Sequence, residues 1–177
     1  MTSSDAVTKI PNGPADVELM SPDGALRVRF RWNVDRFVHT FFHGGVAVAD
    51  SVDGDGDQPW PPSPPLQQLS LETLDGRDVI LGVGAAGKSH WSVSVEPIRD
   101  DSGAAGLKFD WACRTSTPEA DLGTLYKLAD GSQPTRIGFV ETTSSRRESE
   151  NSRVRLRPAG FADAGTRQWA YQVQLSE

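Results

Sequence analysis

Eight residues from Gly82 to Ser89, GVGAAGKS, match the Gly-x-x-x-x-Gly-Lys-Ser pattern that cradles nucleotide phosphates. Gly82, Gly84 and Gly87 also spell the dinucleotide fingerprint Gly-x-Gly-x-x-Gly. Both motifs work only where a helix begins at the last glycine, because its N-terminal amides and dipole converge on the anion. The residues that follow, HWSVSVEPI, instead alternate apolar with polar and close on Pro97. Period two, carried by valine and tryptophan, is the pattern of a half-buried strand. The segment is therefore expected to be a glycine-rich connection between antiparallel strands, and the phosphate-loop match a false positive. A Walker-B aspartate could be sought at Asp110 in LKFD, but that run also reads as a strand. No cofactor is expected.

Other side chains with chemical potential are also read against their spacing. Asp53, Asp55 and Asp57 have the one-three-five rhythm of a calcium loop. Gln58 stands where that loop needs glycine and Pro64 where it needs glutamate, which excludes an EF-hand; a looser site with backbone carbonyls stays open, and a solvated loop tip is the expected state. His39, His43 and His90 are the three histidines. On a strand His39 and His43 would share a face but stand about 13 Å apart, too far to grip one metal; a helix would bring them within reach of one. No metal site is expected. No Gly-x-Ser-x-Gly nucleophile elbow occurs near Ser89, Ser92 or Ser94. Cys113 falls on the apolar side of its run with Phe109 and Trp111, the setting of a buried, inert thiol. The run PWPPSPP at 59–65 contains overlapping Pro-x-x-Pro units that an aromatic groove could bind, and is expected to be a stiff cover over a sheet edge.

Charge is more organised. Arg27, Arg29 and Arg31 alternate with Leu26, Val28, Phe30 and Trp32; Arg153, Arg155 and Arg157 repeat the arrangement. Each ladder sets three cations about 6.6 Å apart on one strand face. Carboxylates standing opposite would make it a solvated sheet face; without them it would be a basic surface for an anionic sugar or carboxylate. A third polar face combines His90, Glu96, Lys108, Asp110 and Arg114 across two facing strands, gathering acid, base and cation in one place. These five residues, with Trp60 and Trp169 as sugar-stacking rings, are the candidate ligand-binding set.

The elements that must position them are strands. Residues 89–96 and 107–114 alternate strictly and flank the loop RDDSGAAG at 99–106, which makes an antiparallel hairpin. Further strands are expected at 16–20, 25–34, 66–74, 77–84, 122–128, 136–141, 153–157 and 167–175, with Asp-Gly turns at 23–24, 75–76 and 130–131. The segment VDRFVHTFFHGG also fits a helical stripe ending at Gly44, but its aromatic and β-branched residues favour a strand over 35–43. Residues 1–15 read as a flexible tail, followed by one domain over 16–177 with long loops at 44–65 and 142–152. The expected fold is all-β, a single antiparallel β-sandwich of about ten strands, with a β-barrel as the alternative.

The pieces DRFVHTF, WPPSPPLQQLSLE, GKSHWSVSVE and LKFDWACR together resemble an uncharacterised bacterial all-β protein family with no assigned activity. The resemblance covers about residues 26–126. It implies an all-β fold and no catalytic residue.

At 177 residues the chain can bury one substantial core. Its net charge of −6 argues against nucleic-acid binding, which neutralises phosphates. One cysteine excludes an intrachain disulfide and a four-cysteine zinc site. The N-terminus lacks the basic start and apolar core of a signal peptide, and no apolar stretch approaches membrane-spanning length. A cytoplasmic protein without membrane or nucleic-acid partners is expected, its oligomeric state open. The expected function is a non-catalytic binding module for a carbohydrate or other small polar ligand. Two alternatives stand beside it: a sugar-active enzyme with Glu96 or Asp110 as base and His90 as acid, and a structural or assembly protein that uses exposed strand edges.

Overall fold

Side-chain alternation along the chain becomes a two-layer sandwich in the computed structural model, which describes residues 13–54, 61–116, 121–129, 136–160 and 165–176. Among these, the strands are β1 (Val17–Met20), β2 (Leu26–Asn33), β3 (Arg36–His43), β4 (Val46–Ser51), β5 (Gln68–Leu74), β6 (Arg77–Ala86), β7 (Ser89–Arg99), β8 (Ala105–Thr115), β9 (Thr124–Leu128), β10 (Arg136–Glu141), β11 (Ser145–Glu150), β12 (Arg153–Pro158) and β13 (Gly165–Ser176). Seven form one antiparallel sheet in the order β1-β2-β3-β4-β9-β12-β11, and six form the other in the order β10-β13-β8-β7-β6-β5. Neither sheet closes on itself, so the sandwich holds and the barrel alternative does not. No helix is long and apolar enough to cross a membrane among the described residues.

The inward rows are those the alternation predicts. Leu26, Val28 and Phe30 of β2 and Phe37 and Phe41 of β3 meet Trp91, Val93 and Val95 of β7, with Leu107, Phe109, Trp111 and Cys113 of β8. Residues 35–43 are a strand, as their β-branched and aromatic content favours. Cys113 is fully buried, and burial pushes its thiol up to about 11.

A polar chain crosses this core. His39 Nε2 meets Tyr126 Oη at 2.9 Å, Tyr126 Oη meets Tyr171 Oη at 2.5 Å, and Trp111 Nε1–H donates to Tyr171 Oη at 3.0 Å. The His39 backbone N–H donates to Ser51 Oγ, and the Ser51 hydroxyl donates to Asp53. Because each buried group finds a partner, the chain joins the two sheets without orphaned polar atoms along it. Burial among Phe30, Phe41 and Phe109 holds the imidazole neutral and pulls its pKa down to about 3. Tyr171 is pushed up to about 12 by the same burial.

Three expectations need correction. The polar stretch 142–152 is not a loop throughout, since Ser145–Glu150 forms β11. It lies at a sheet edge with a single inward residue, Ser145, so no hydrophobic alternation announces it. Its register sets Glu148 opposite Arg155 and Glu150 opposite Arg153, opposite-charge pairs that favour the ladder while the charges blunt the edge. The stretch 44–65 likewise contains β4, introduced by a Gly44–Gly45 turn with positive φ at both residues. These two unexpected strands bring the number to thirteen where about ten were expected. Third, Trp169 does not face solvent. It is fully buried and stacks on Trp111, its register partner, with centroids 6.1 Å apart. Trp60, the Asp-Gly pair at 130–131 and residues 1–12 of the expected tail lie outside the described residues.

Candidate functional site

The segment that resembles a phosphate loop is a β-hairpin. Ala86 pairs with Ser89, so Gly87 and Lys88 alone make the turn, and Ser89 opens β7 rather than a helix. Gly87 has φ of 56°, the left-handed conformation that glycine adopts without penalty. Gly82 and Gly84 have a different cause. A Cβ on Gly84 would sit 1.9 Å from the Pro65 carbonyl oxygen, and one on Gly82 would meet Leu69, Val93 and Leu66. Gly84 is there because the crossover from one sheet to the other passes tightly over β6, and Gly82 because its register partners Leu69 of β5 and Val93 of β7 fill the space above it.

That crossover is the proline run. Pro61, Ser63, Pro64, Pro65 and Leu66 are buried, which leaves no Pro-x-x-Pro face in that stretch for a partner. Phe37 N–H donates to the Leu66 carbonyl, Gln67 N–H donates to the Val83 carbonyl, and Ser63 Oγ bonds both the N–H and carbonyl of Leu125. The Gln67 amide then clamps Ala85, accepting its N–H at 2.7 Å and donating to its carbonyl at 3.1 Å. Local sequence thus fixes the rim of the outer face of the six-stranded sheet.

On that face the register lays side chains in rows across the strands. One row runs Ala85, His90, Arg114, Thr166. The next runs Gln68, Val83, Ser92, Ala112, Gln168, and the third Ser70, Leu81, Ser94, Asp110, Ala170. Adjacent rows are about 6.6 Å apart. Small residues occupy the middle, Ser92 and Ala112, while long amides stand at the ends, Gln68 and Gln168. The surface sinks accordingly. Two adjoining depressions, about 520 and 570 Å³, share Gln68, Val83, Ser92 and Ala112 in their lining. A further depression of about 490 Å³ continues past His90 and Arg114 to Lys88, Ser116 and Gly165.

The candidate set divides along this face. His90 and Arg114 are cross-strand partners and line the first depression. Asp110 lines the second. Glu96, Lys108 and Asp110 form an ion-paired triplet beyond them, with Lys108 Nζ 3.6 Å from Glu96 and 3.7 Å from Asp110. His90 stands six residues from Glu96 on one strand, about 20 Å, and its row holds no carboxylate. Trp169 takes no part, being in the core. The residues that sequence reasoning missed are Gln68, Val83, Ser92, Ala112 and Gln168. Their signal was a deficit of bulk: serine and alanine facing one another at the centre of five adjacent strands, legible only once register was known.

The floor is aliphatic rather than aromatic, from Val83, Leu81 and Ala112. The side chains of Gln68, Ser92 and Gln168 make no hydrogen bond to another described residue, so their amides and hydroxyl are open to a ligand. The arginine ladders lie on the opposite side of the molecule, paired with acids: Arg27 and Arg29 with Glu18, Arg155 and Arg157 with Asp121, and Arg157 with Glu148 at 3.5 Å. No group of three histidine, cysteine, aspartate or glutamate side chains gathers for a metal among the described residues. Asp53, half-buried against Ser51, is pushed up to about 6 by burial, while Asp55 and Asp57 lie outside the described residues. No family model, curated protein or solved structure matches the chain.

Proposed function

We propose that the chain is a non-catalytic binding module that takes a small polar ligand, a saccharide foremost, in the trough on the outer face of the six-stranded sheet. The observation that carries this reading is the row Gln68, Val83, Ser92, Ala112, Gln168. It offers two unengaged amides, a hydroxyl and an aliphatic floor in a depression of a few hundred Å³, the size at which small ligands are held. Sugars need this mixture: donors and acceptors for hydroxyls, and apolar surface for the ring's C–H face. The absence of a paired acid and base around His90 favours binding over hydrolysis.

The test is a titration of wild-type protein and Ala112→Trp against a panel of neutral and acidic oligosaccharides, followed by backbone amide shifts. Binding should move amides of 81–85, 90–94 and 110–114, and the indole should abolish it while leaving the fold intact. Shifts confined to the seven-stranded sheet would sink the reading.

A second reading, assembly through a sheet edge, draws on β5. That edge strand carries Leu71 and Leu74 at 49% and 51% exposure, with no lysine, arginine or proline within it to blunt pairing. Sedimentation of the wild type beside Leu71→Lys distinguishes it: a dimer that the lysine dissolves would support assembly.

A further inference from the structure

The trough is not electrically uniform along its length. At the end nearest the Gly87–Lys88 turn, Lys88, His90 and Arg114 converge on a depression of about 490 Å³ that also reaches Thr115, Ser116 and Gly165. None of the three makes an ion pair or side-chain hydrogen bond with another described residue. Among the described residues, no aspartate or glutamate lines either this depression or the adjoining one beside Ser92. In a chain of net charge −6, elsewhere rich in matched pairs, three convergent cationic or protonatable groups facing an open hollow are the exception. Toward the other end the polarity reverses, with Asp110 held by Lys108 at 3.7 Å. The row of His90 and Arg114 and the row of Asp110 lie about 13 Å apart, with the neutral Ser92 and Ala112 row between them.

Resting on the binding reading above, we propose that the ligand is an anionic saccharide, whose carboxylate or phosphate group seats on Lys88, His90 and Arg114 while its neutral, hydroxylated body lies over Ser92 and Ala112 toward Asp110. Arg114 supplies the planar fork that suits an oxyanion, and Lys88 the point charge. The cationic end fixes the direction in which the sugar lies, and the acidic end rejects a second anion.

The experiment compares four probes on the wild-type protein: a uronic-acid disaccharide, a sugar monophosphate, a neutral disaccharide and inorganic phosphate. The acidic saccharides should bind about tenfold more tightly than the neutral one at low salt. That advantage should shrink at about 0.3 M salt and vanish in Arg114→Met and Lys88→Met. Whichever acidic saccharide binds more tightly identifies the source of the anion. Equal affinity for acidic and neutral saccharides would overturn this inference and leave the binding module standing, whereas failure of every saccharide would overturn both. An acidic preference unchanged in the two methionine variants, or tight binding of inorganic phosphate alone, would equally refute the proposed seating. Lys88 and Arg114 are exposed, so both variants are expected to fold, and circular dichroism verifies it.

Discussion

On the outer face of the seven-stranded sheet, two arginine ladders stand about 19 Å apart, four strand spacings between β2 and β12. Four of their six guanidinium groups are met by Glu18, Asp121 or Glu148, and Arg27 and Arg29 also lie over the Phe42 ring at 5.0 and 5.2 Å. On the outer face of the six-stranded sheet, Lys88, His90 and Arg114 have no such partners among the described residues, and the side chains beside them are small. In sequence the ladders could be either a solvated face or a basic surface for an anion, and the hairpin of β7 and β8 carries the candidate ligand-binding set. The structure pairs most of the ladder cations with acids, and we expect receptivity to depend on what is left unsatisfied and where volume is missing, not on how much charge a strand carries.

The sharpest way to break this contrast is to destroy the shape of one face alone. Gly84→Val places a branched side chain against the Pro65 carbonyl, a backbone atom that cannot swing aside. We expect a loss of about 3 kcal/mol, at the upper end of over-packing costs, in denaturant unfolding. Saccharide binding should fall with it, since the Gln67 clamp on Ala85 is carried by the displaced crossover. Stability close to wild type would mean that the crossover does not shape the trough.

Both faces are backed by one core, and pH tests that shared support. His39 has its pKa lowered to about 3, so the unfolded chain binds the proton more readily. Its contribution is complete above the unfolded value near 6.5 and drains away on acidification, by up to about 1.4 kcal/mol per pH unit. Asp53 is raised to about 6, so the folded state holds its proton and stability is gained on acidification from about 6 to 4. The two slopes oppose one another across that window. His39→Phe should therefore become more stable from pH 6 to 4, and Asp53→Asn less stable. Parallel profiles for the two variants would show that neither group titrates as its burial requires.

Much of this architecture was legible in the sequence, and the failures have physical causes. Alternation placed Leu26, Val28 and Phe30 inward and predicted the hairpin of β7 and β8, because burial on one face of a strand writes a period of two. The same rule, applied to Trp169, Tyr171 and Val173, puts Trp169 in the core, where it is found. Strand β11 was invisible because its ladder rests on cross-strand charge pairs whose partners lie elsewhere in the chain. The trough was hidden for a related reason: Gln68, Val83, Ser92, Ala112 and Gln168 come from five separate strands, and only register sets them in one row.

A smaller effect sharpens the comparison from the other side. Val34, 89% exposed in the turn between β2 and β3, has φ of 62°, a conformation that costs a β-branched residue roughly 1–2 kcal/mol. Asparagine tolerates it. Val34→Asn should raise stability by about 1 kcal/mol in thermal unfolding and leave saccharide affinity unchanged, since the turn belongs to the seven-stranded sheet. A change in affinity would couple the two faces.

The smallest expected effect is the most direct test of the contrast. Asp121 pairs with both Arg155 and Arg157, yet its side chain is 53% exposed, and ion pairs so placed contribute little because water and salt screen them. Asp121→Ala should cost about 0.5 kcal/mol at low salt and less as salt rises. Its consequence for binding matters more than its size. Freeing Arg155, and leaving Arg157 with Glu148 alone, turns a satisfied ladder into a partly unsatisfied one, closer to the condition that marks the Lys88–Arg114 end of the other face. If unpaired cations alone made a site, this variant would acquire affinity for acidic saccharides on the seven-stranded face. The ladder lacks the hollow that small side chains leave at Ser92 and Ala112, so we expect no such gain, and amide shifts on β12 during a titration would show it if it occurred.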